Sequence, residues 1–263
     1  MPAKIPAATR TLAALRTLAK ASQPLTAAAL ASRIGAPRST TYQLLQVLES
    51  EGFVIHFAEE SRWGLGVAAF ELGSAYLRHD PLERLARPIL QRLVVALDDQ
   101  NHKNLKFGIT VQVGILDGHE ILYLLKDAPR HSTPVVTEVG VRLPAHLTAS
   151  GRSMLAKLNR AQVRAIFGSA SWLQLRTANG PRNPRELAAI LAQEASLGFS
   201  VEDSQVTEGY SSIAAAAIDH AGLPAASFAV TFRTNDASEE ARSELAKLVV
   251  SAAAELSKRL GAR

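Results

Sequence analysis

Between residues 26 and 50 the chain reads TAAALASRIGAPRSTTYQLLQVLES. The apolar spacing predicts two short helices joined by a tight turn. Thr26 suits the N-cap of a helix over 27–34, with Leu30 and Ile34 turned inward. Gly35 supplies the turn, and Pro37 suits the first position of the next helix. In that helix the 3.6-residue period places Thr41, Leu44, Leu45 and Leu48 on one face, and Arg38, Ser39, Tyr42, Gln43 and Gln46 on another. The outer face carries donors and no acid until Glu49. A helix of this kind fits the DNA major groove. Periodicity alone fits an amphipathic core helix equally well.

The flanking residues favour the first reading. Residues 8–21 predict a preceding helix with Leu12, Leu15, Leu18 and Ala19 at core spacing. After Gly52 come FVIHF and RWGLG around the charged tip AEES, which predicts a β-hairpin or wing. Ser39 and Thr40, with the amides of the helix start, can bond phosphate oxygens. Arg38 can take a phosphate or a guanine edge. Tyr42, Gln43 and Gln46 are placed for base edges, although Tyr42 can equally pack on the first helix. Arg62 on the hairpin is placed for phosphate or the minor groove.

Charge agrees with an anionic partner. The net formal charge is +5, and residues 1–66 hold Lys4, Arg10, Arg16, Lys20, Arg33, Arg38 and Arg62 against Glu49, Glu51, Glu59 and Glu60. The basic density therefore lies at the N-terminal end, where a solvated surface would also account for it. There are no cysteines, which excludes disulfides, thiolate nucleophiles and cysteine-bound zinc. No apolar run approaches a membrane span, and the first residues lack the apolar core of a secretory signal. A cytoplasmic protein without cofactor or metal is expected.

A chain of 263 residues suits two domains. Residues 67–79 predict an amphipathic connecting helix, and Asp80-Pro81 the boundary beyond it. The expected division is 1–66, a winged helix-turn-helix; 67–80, a linker helix; and 81–263, a second domain. That domain starts with a long helix over 82–99. Strands are expected at 107–116, 120–126 and 134–139, then helices near 149–158, 160–167 and 184–197. Strands at 212–218 and 224–232 precede a last helix over 238–260, whose acidic start and basic end match the helix dipole. Elements in this order imply an α+β class with an antiparallel sheet.

Three segments in order resemble the IclR-type bacterial transcriptional regulators. PLTAAALASRIGAPRSTTYQLLQVLESEGFV is similar to that family's winged helix-turn-helix. GVRLPAHLTASGRSMLAKL (140–158) is similar to its central landmark, and GFSVEDSQVTEGYSSIAAAAID (198–219) to its signature region. The resemblance covers nearly the whole chain. It implies a GAF-like α/β effector-binding domain and a linker helix that helps to dimerise. It also implies a homodimer or homotetramer on palindromic double-stranded DNA operators, often beside catabolic genes, and a small organic acid as effector.

Residues 144–158 make sense on their own. Thr148 caps a helix whose small first residues leave the amides of Ala149, Ser150 and Gly151 open, as a carboxylate site requires. An ordinary capped helix fits the same residues. The resemblance puts the effector carboxylate near this turn, with Glu202, Ala229 and Thr231 on the opposite wall. Glu202 stands where the family usually has Asp, and either bonds the effector or is solvated. Gln205 replaces the customary Glu, Ser212 the customary Cys, and Ala229 one of two positions that can carry serine. Phe107, Phe199, Phe228 and Phe232 lie on strands that can border the cavity or fill the core. A more apolar pocket leans towards an aromatic acid.

Two other functions compete with a ligand-gated repressor of a catabolic operon. An enzyme on the GAF-like domain would need a base and nucleophile. His146 near Ser150 and Ser153 invites that reading, but there is no GxSxG elbow and no HExxH spacing, so His146 is expected to bond its loop. A sequence-blind architectural DNA binder fits poorly with the large second domain and modest net charge.

Overall fold

The computed structural model describes residues 5–79, 81–100, 108–129, 138–167 and 173–262. The chain divides into two compact units, Met1–Asp80 and Pro81–Arg263.

In the first unit, α1 (Pro6–Ala19), α2 (Ala27–Ile34) and α3 (Arg38–Ser50) surround a core of Ala14, Leu18, Leu30, Leu45, Leu48, Val54 and Trp63. Thr26 caps α2 by accepting the Ala29 amide at 3.2 Å. Gly35 ends α2 in the left-handed region at φ 63°, where a side chain would be strained. Pro37 is the N-cap of α3 and not its first helical residue, and its carbonyl accepts both the Thr41 amide at 2.9 Å and the Thr41 hydroxyl at 3.0 Å. Leu12, expected in the core, is 55% exposed: the stripe that packs runs through Ala14 and Leu18, one step round the helix.

The hairpin is β2 (Val54–Phe57) and β3 (Arg62–Leu65). A two-residue strand that the sequence did not announce, β1 (Leu25–Thr26), joins the outer edge of β3, giving the order β1-β3-β2. His56 stacks on Trp63 directly across the ladder, with ring centroids 4.3 Å apart. Helix α4 (Val67–His79) follows.

The second unit opens with α5 (Pro81–Gln100). Its sheet is built from β4 (Thr110–Asp117), β5 (Glu120–Asp127), β6 (Arg142–Pro144), β7 (Ser200–Asp203), β8 (Tyr210–Ile218) and β9 (Pro224–Arg233). All neighbours are antiparallel in the order β6-β5-β4-β9-β8-β7. Between β6 and β7 come α6 (Ala149–Leu155), α7 (Arg160–Ile166) and α8 (Pro184–Leu197), and α9 (Glu239–Arg259) closes the unit. The strand expected at 134–139 lies mostly outside the described residues, as does Phe107. β7 was not foreseen, because SVED offers no apolar run.

Strand alternation gives the sheet two different faces. Val111, Val113, Ile213, Ala215, Phe228, Val230 and Phe232 join α5 and α9 in the main core. The other face meets α6 through Ala149, Ala214 and Ala229, whose small side chains let the helix lie close. Gly151 is needed for the same reason: a Cβ there would stand 2.3 Å from the Ala145 carbonyl oxygen. Gly151→Ala should therefore destabilise the fold by about 1–3 kcal/mol, read as a lower urea midpoint of unfolding with little change in slope. An unchanged midpoint would mean that the loop before α6 yields freely.

Candidate functional site

In the first unit, α3 presents Arg38, Ser39, Gln43 and Gln46 to solvent, with Thr40 half-buried. Tyr42 is 52% exposed, so it does not pack into the core against α1. The first turn of α3 holds no acid. Arg62 begins β3. Its Nη1 donates to the Pro24 carbonyl at 3.0 Å, and its Nε lies 3.8 Å from Glu60. It braces β3 against the segment before β1 while its side chain stays 41% exposed, and Glu59 and Glu60 stand in a 3-10 turn at the hairpin tip.

In the second unit a small cavity of about 50 Å³ lies between the sheet and the start of α6. Gln112, Tyr123, Thr148, Glu202, Thr207, Tyr210, Ser212 and Thr231 line it, with Leu143 and Val206. Of the expected effector residues, Thr148, Glu202 and Thr231 meet there. Ala149 and Ala229 are packed together in the layer that seats α6, and Ser150 is buried beneath it. The Gly151 amide is not open: it donates to the Thr148 hydroxyl at 3.0 Å. Phe228 and Phe232 do not border the cavity, because alternation along β9 sends them to the opposite core, and Phe199 packs against that core too.

Glu202 is buried, not solvated. Its Oε1 accepts the amides of Gln205 and Val206 at 2.7 and 3.1 Å. Burial raises its pKa above the ordinary carboxylate value, opposed by those amides and by the Ser212 hydroxyl. Ser212 and Thr231 share a hydroxyl–hydroxyl bond of 2.9 Å. Burial pushes Tyr123 up to about 12, so its phenol stays neutral and donates weakly to Ser150 Oγ at 3.4 Å.

Sequence reasoning missed the residue that organises this region. Arg152 is 1% exposed. Its Nε donates to Glu194 of α8 at 3.0 and 3.2 Å, and its Nη1 to the His146 carbonyl at 3.3 Å. It also donates to Gln205 Oε1 and to the Val201 carbonyl. Glu194 in turn accepts from the Ser200 hydroxyl at 2.8 Å. The one available signal was a lone arginine inside the small-residue run ASGRSML.

His146 behaves as a loop residue. Its Nε2 donates to the Gln174 carbonyl at 3.2 Å, its ring meets Phe167 edge-on, and burial holds its pKa below the usual value. Ser153 Oγ donates to the Ser150 carbonyl at 2.8 Å. Among the described residues no group of His, Cys, Asp or Glu could hold a metal ion, and no helix is long and apolar enough to cross a membrane. A larger open groove of about 810 Å³ runs along α7 and α8. It is mostly apolar, with Arg160, Arg164 and Arg185 exposed around it, and lacks the convergent buried polar groups of the smaller cavity.

The family models place this geometry. The bacterial transcriptional regulator IclR C-terminal model matches residues 74–258, and the IclR helix-turn-helix domain matches residues 7–55. The chain belongs to the IclR family of transcriptional regulators. It is 28% identical over 250 residues to the transcriptional repressor IclR of Escherichia coli, covering 94% of this chain and 87% of that one. The solved IclR regulator of Alicyclobacillus acidocaldarius has the same fold, with a TM-score of 0.83, 20% identity, and coverage of 97% of this chain and 99% of the other. An IclR homologue of Microbacterium hydrocarbonoxydans, solved with 4-hydroxybenzoate, superposes with a TM-score of 0.77 at 21% identity over 97% and 98% of the two chains. The α+β architecture is that of IclR structures. Members of the IclR family are regulators and not enzymes, so the hydrolase reading falls. This IclR-family chain is a ligand-responsive DNA-binding regulator.

Two outcomes follow. Arg152→Ala would leave Glu194 buried without its cation, and should cost about 3–5 kcal/mol in urea unfolding. Glu202 has a folded pKa above its unfolded one. Its stabilising contribution is therefore complete below the unfolded value and declines as pH rises towards the folded value. Glu202→Gln should raise the melting temperature at pH 7–8 relative to wild type, and the gap should close near pH 4. A gap independent of pH would show that titration of Glu202 is not its cause.

Proposed function

We propose that this protein is a cytoplasmic repressor of a catabolic operon, released from or tightened on its operator by a small carboxylic acid. The observation that carries the effector half is the cavity at the N-cap of α6: a small pocket in which the polar side chains of Gln112, Thr148, Glu202, Ser212 and Thr231 converge. The acid's carboxylate lies towards Thr148 and the amides of Ala149 and Ser150, next to Gly151, whose own amide is held by the Thr148 hydroxyl. Glu202 and Thr231 form the far wall, and Ala229 sets its depth. An aromatic acid is favoured by the Tyr123 and Tyr210 rings in the lining and by the Microbacterium homologue's complex with 4-hydroxybenzoate. A cavity of about 50 Å³ admits only a few waters, so an aromatic acid must spread its walls on entry.

The DNA half rests on α3. Arg38, Ser39 and Thr40 contact phosphate at the helix start, and Tyr42, Gln43 and Gln46 face base edges. Arg62, steadied by the Pro24 carbonyl and with its side chain 41% exposed, contacts phosphate or the minor groove from the hairpin. Residues 1–66 form the reading domain, 67–80 the linker helix and 81–263 the sensing domain. A homodimer, or a homotetramer made from two dimers, matches the symmetry of a palindromic operator.

DNA selected from a random pool should yield one palindromic sequence. In fluorescence anisotropy, Arg38→Ala and Gln43→Ala should each weaken binding to it by about 1–3 kcal/mol. Equal affinity for selected and random DNA at physiological salt would defeat the sequence-specific reading. In a thermal-shift panel of aliphatic and aromatic acids, a true effector at 100 times its dissociation constant stabilises the folded state by about 2.7 kcal/mol. A panel in which only aliphatic acids act would remove the aromatic preference.

A further inference from the structure

One donor in the cavity has no acceptor among the described residues. Gln112 sits in the middle of β4, paired in register with Ala229 on one side and Lys126 on the other. It is 2% exposed and lines the cavity, and among the described residues its Nε2 has no hydrogen-bond partner. Buried amide nitrogens are nearly always satisfied, because their lost hydration is otherwise uncompensated.

The neighbouring groups show why this amide finds no acceptor beside it. Ala229, directly opposite, offers a methyl group where a hydroxyl could have accepted. Ser212 and Thr231 are bonded to each other. Glu202 Oε1 is taken by two backbone amides, and the Tyr123 hydroxyl points to Ser150. The nearby cation, Arg152, is consumed by Glu194, Gln205 and two carbonyls, and no Lys or Arg lines the cavity. An anion entering here faces the Glu202 carboxyl with no cation among the described lining residues, so its hydrogen bonds must come from neutral donors.

We infer that Gln112 is a specificity-determining residue of the effector site, its side-chain N–H donating to a carboxylate or carbonyl oxygen of the bound acid. This rests on the reading of the cavity as the effector site. A site with a buried donor rejects analogues that lack the matching oxygen, because binding them would leave the N–H dry and unpaired.

The test uses the full-length protein, its Gln112→Leu and Gln112→Glu variants, and 4-hydroxybenzoate, benzoate, phenylacetate, glyoxylate and pyruvate as probes. Melting temperatures are measured without and with each acid, and titration calorimetry follows on any that shifts the wild type. Without acid, Gln112→Leu should melt at or above the wild-type temperature, since it removes an unpaired buried donor. Its dissociation constant for the acid should weaken by roughly tenfold to 150-fold, the worth of one hydrogen bond to a charged group. Gln112→Glu, which sets a carboxylate against the acid, should show no shift. Wild-type affinity in Gln112→Leu would overturn the inference, and so would a melting temperature several degrees lower without acid, which would mean that the amide has an internal structural partner. If no probe shifts the wild type, the acid-effector reading fails, and the comparison without acid still decides whether Gln112 is unpaired.

Discussion

The second unit depends on one buried cation. Arg152 projects from α6 and ties together α8 through Glu194, β7 through the Val201 carbonyl, the segment after β7 through Gln205 and the loop before α6 through His146. Burying a guanidinium is costly, and an ion pair at this depth gives little net stability over an apolar replacement. Its value here is geometric. A planar fork with several donors in fixed directions holds four chain segments at set distances, which packing of small apolar side chains would leave free to slide. Those segments include three walls of the polar cavity.

The sheet contributes the remaining constraint. One face is filled by branched and aromatic residues against α5 and α9. The other needs small residues under α6, since Ala149, Ala214 and Ala229 meet there and Gly151 touches the Ala145 backbone. Close approach of helix to sheet excludes water from the middle of this face. Where the small residues give way to Gln112, Tyr123, Ser212 and Thr231, a polar hollow remains. The cavity thus arises where the side chains on one strand face change from small and apolar to polar.

Legibility followed the strength of local signals. Helices α2 and α8, with clear caps and periodic apolar stripes, stand where periodicity placed them. The two-residue β1 and the polar β7 carry no such signal, because edge strands exist through their neighbours' hydrogen bonds. The site was harder. Thr148, legible as a helix cap, and Glu202 and Thr231, which came from the family resemblance, line one cavity, whereas Ala149 and Ala229 pack together under α6. Arg62 is legible from its charge and its place on the hairpin, but the carbonyl that it bonds, Pro24, is distant in sequence. Arg152 and Gln112 were invisible for the same reason: their partners, or the lack of them, are set by tertiary contacts.

Effector control then becomes a question of which wall can move. The sheet cannot spread without breaking its ladders, and α6 is wedged by Gly151 against the loop before it. The segment from Ser204 to Tyr210 belongs to no ladder until Tyr210, and it is tied by single bonds such as the Thr177 hydroxyl on the Ser204 carbonyl at 2.6 Å, the Thr234 amide on the Gly209 carbonyl at 2.9 Å, two amides on Glu202, and Arg152 on Gln205. The last is a bond from a cation to a neutral amide. The glutamate that the family resemblance puts at this position would have made it an ion pair. A ligand shifts a conformational equilibrium only by its differential affinity for the two states. Whatever an acid gains at Gln112 and the α6 amides must exceed the cost of loosening this segment, and a neutral Gln205 lowers that cost.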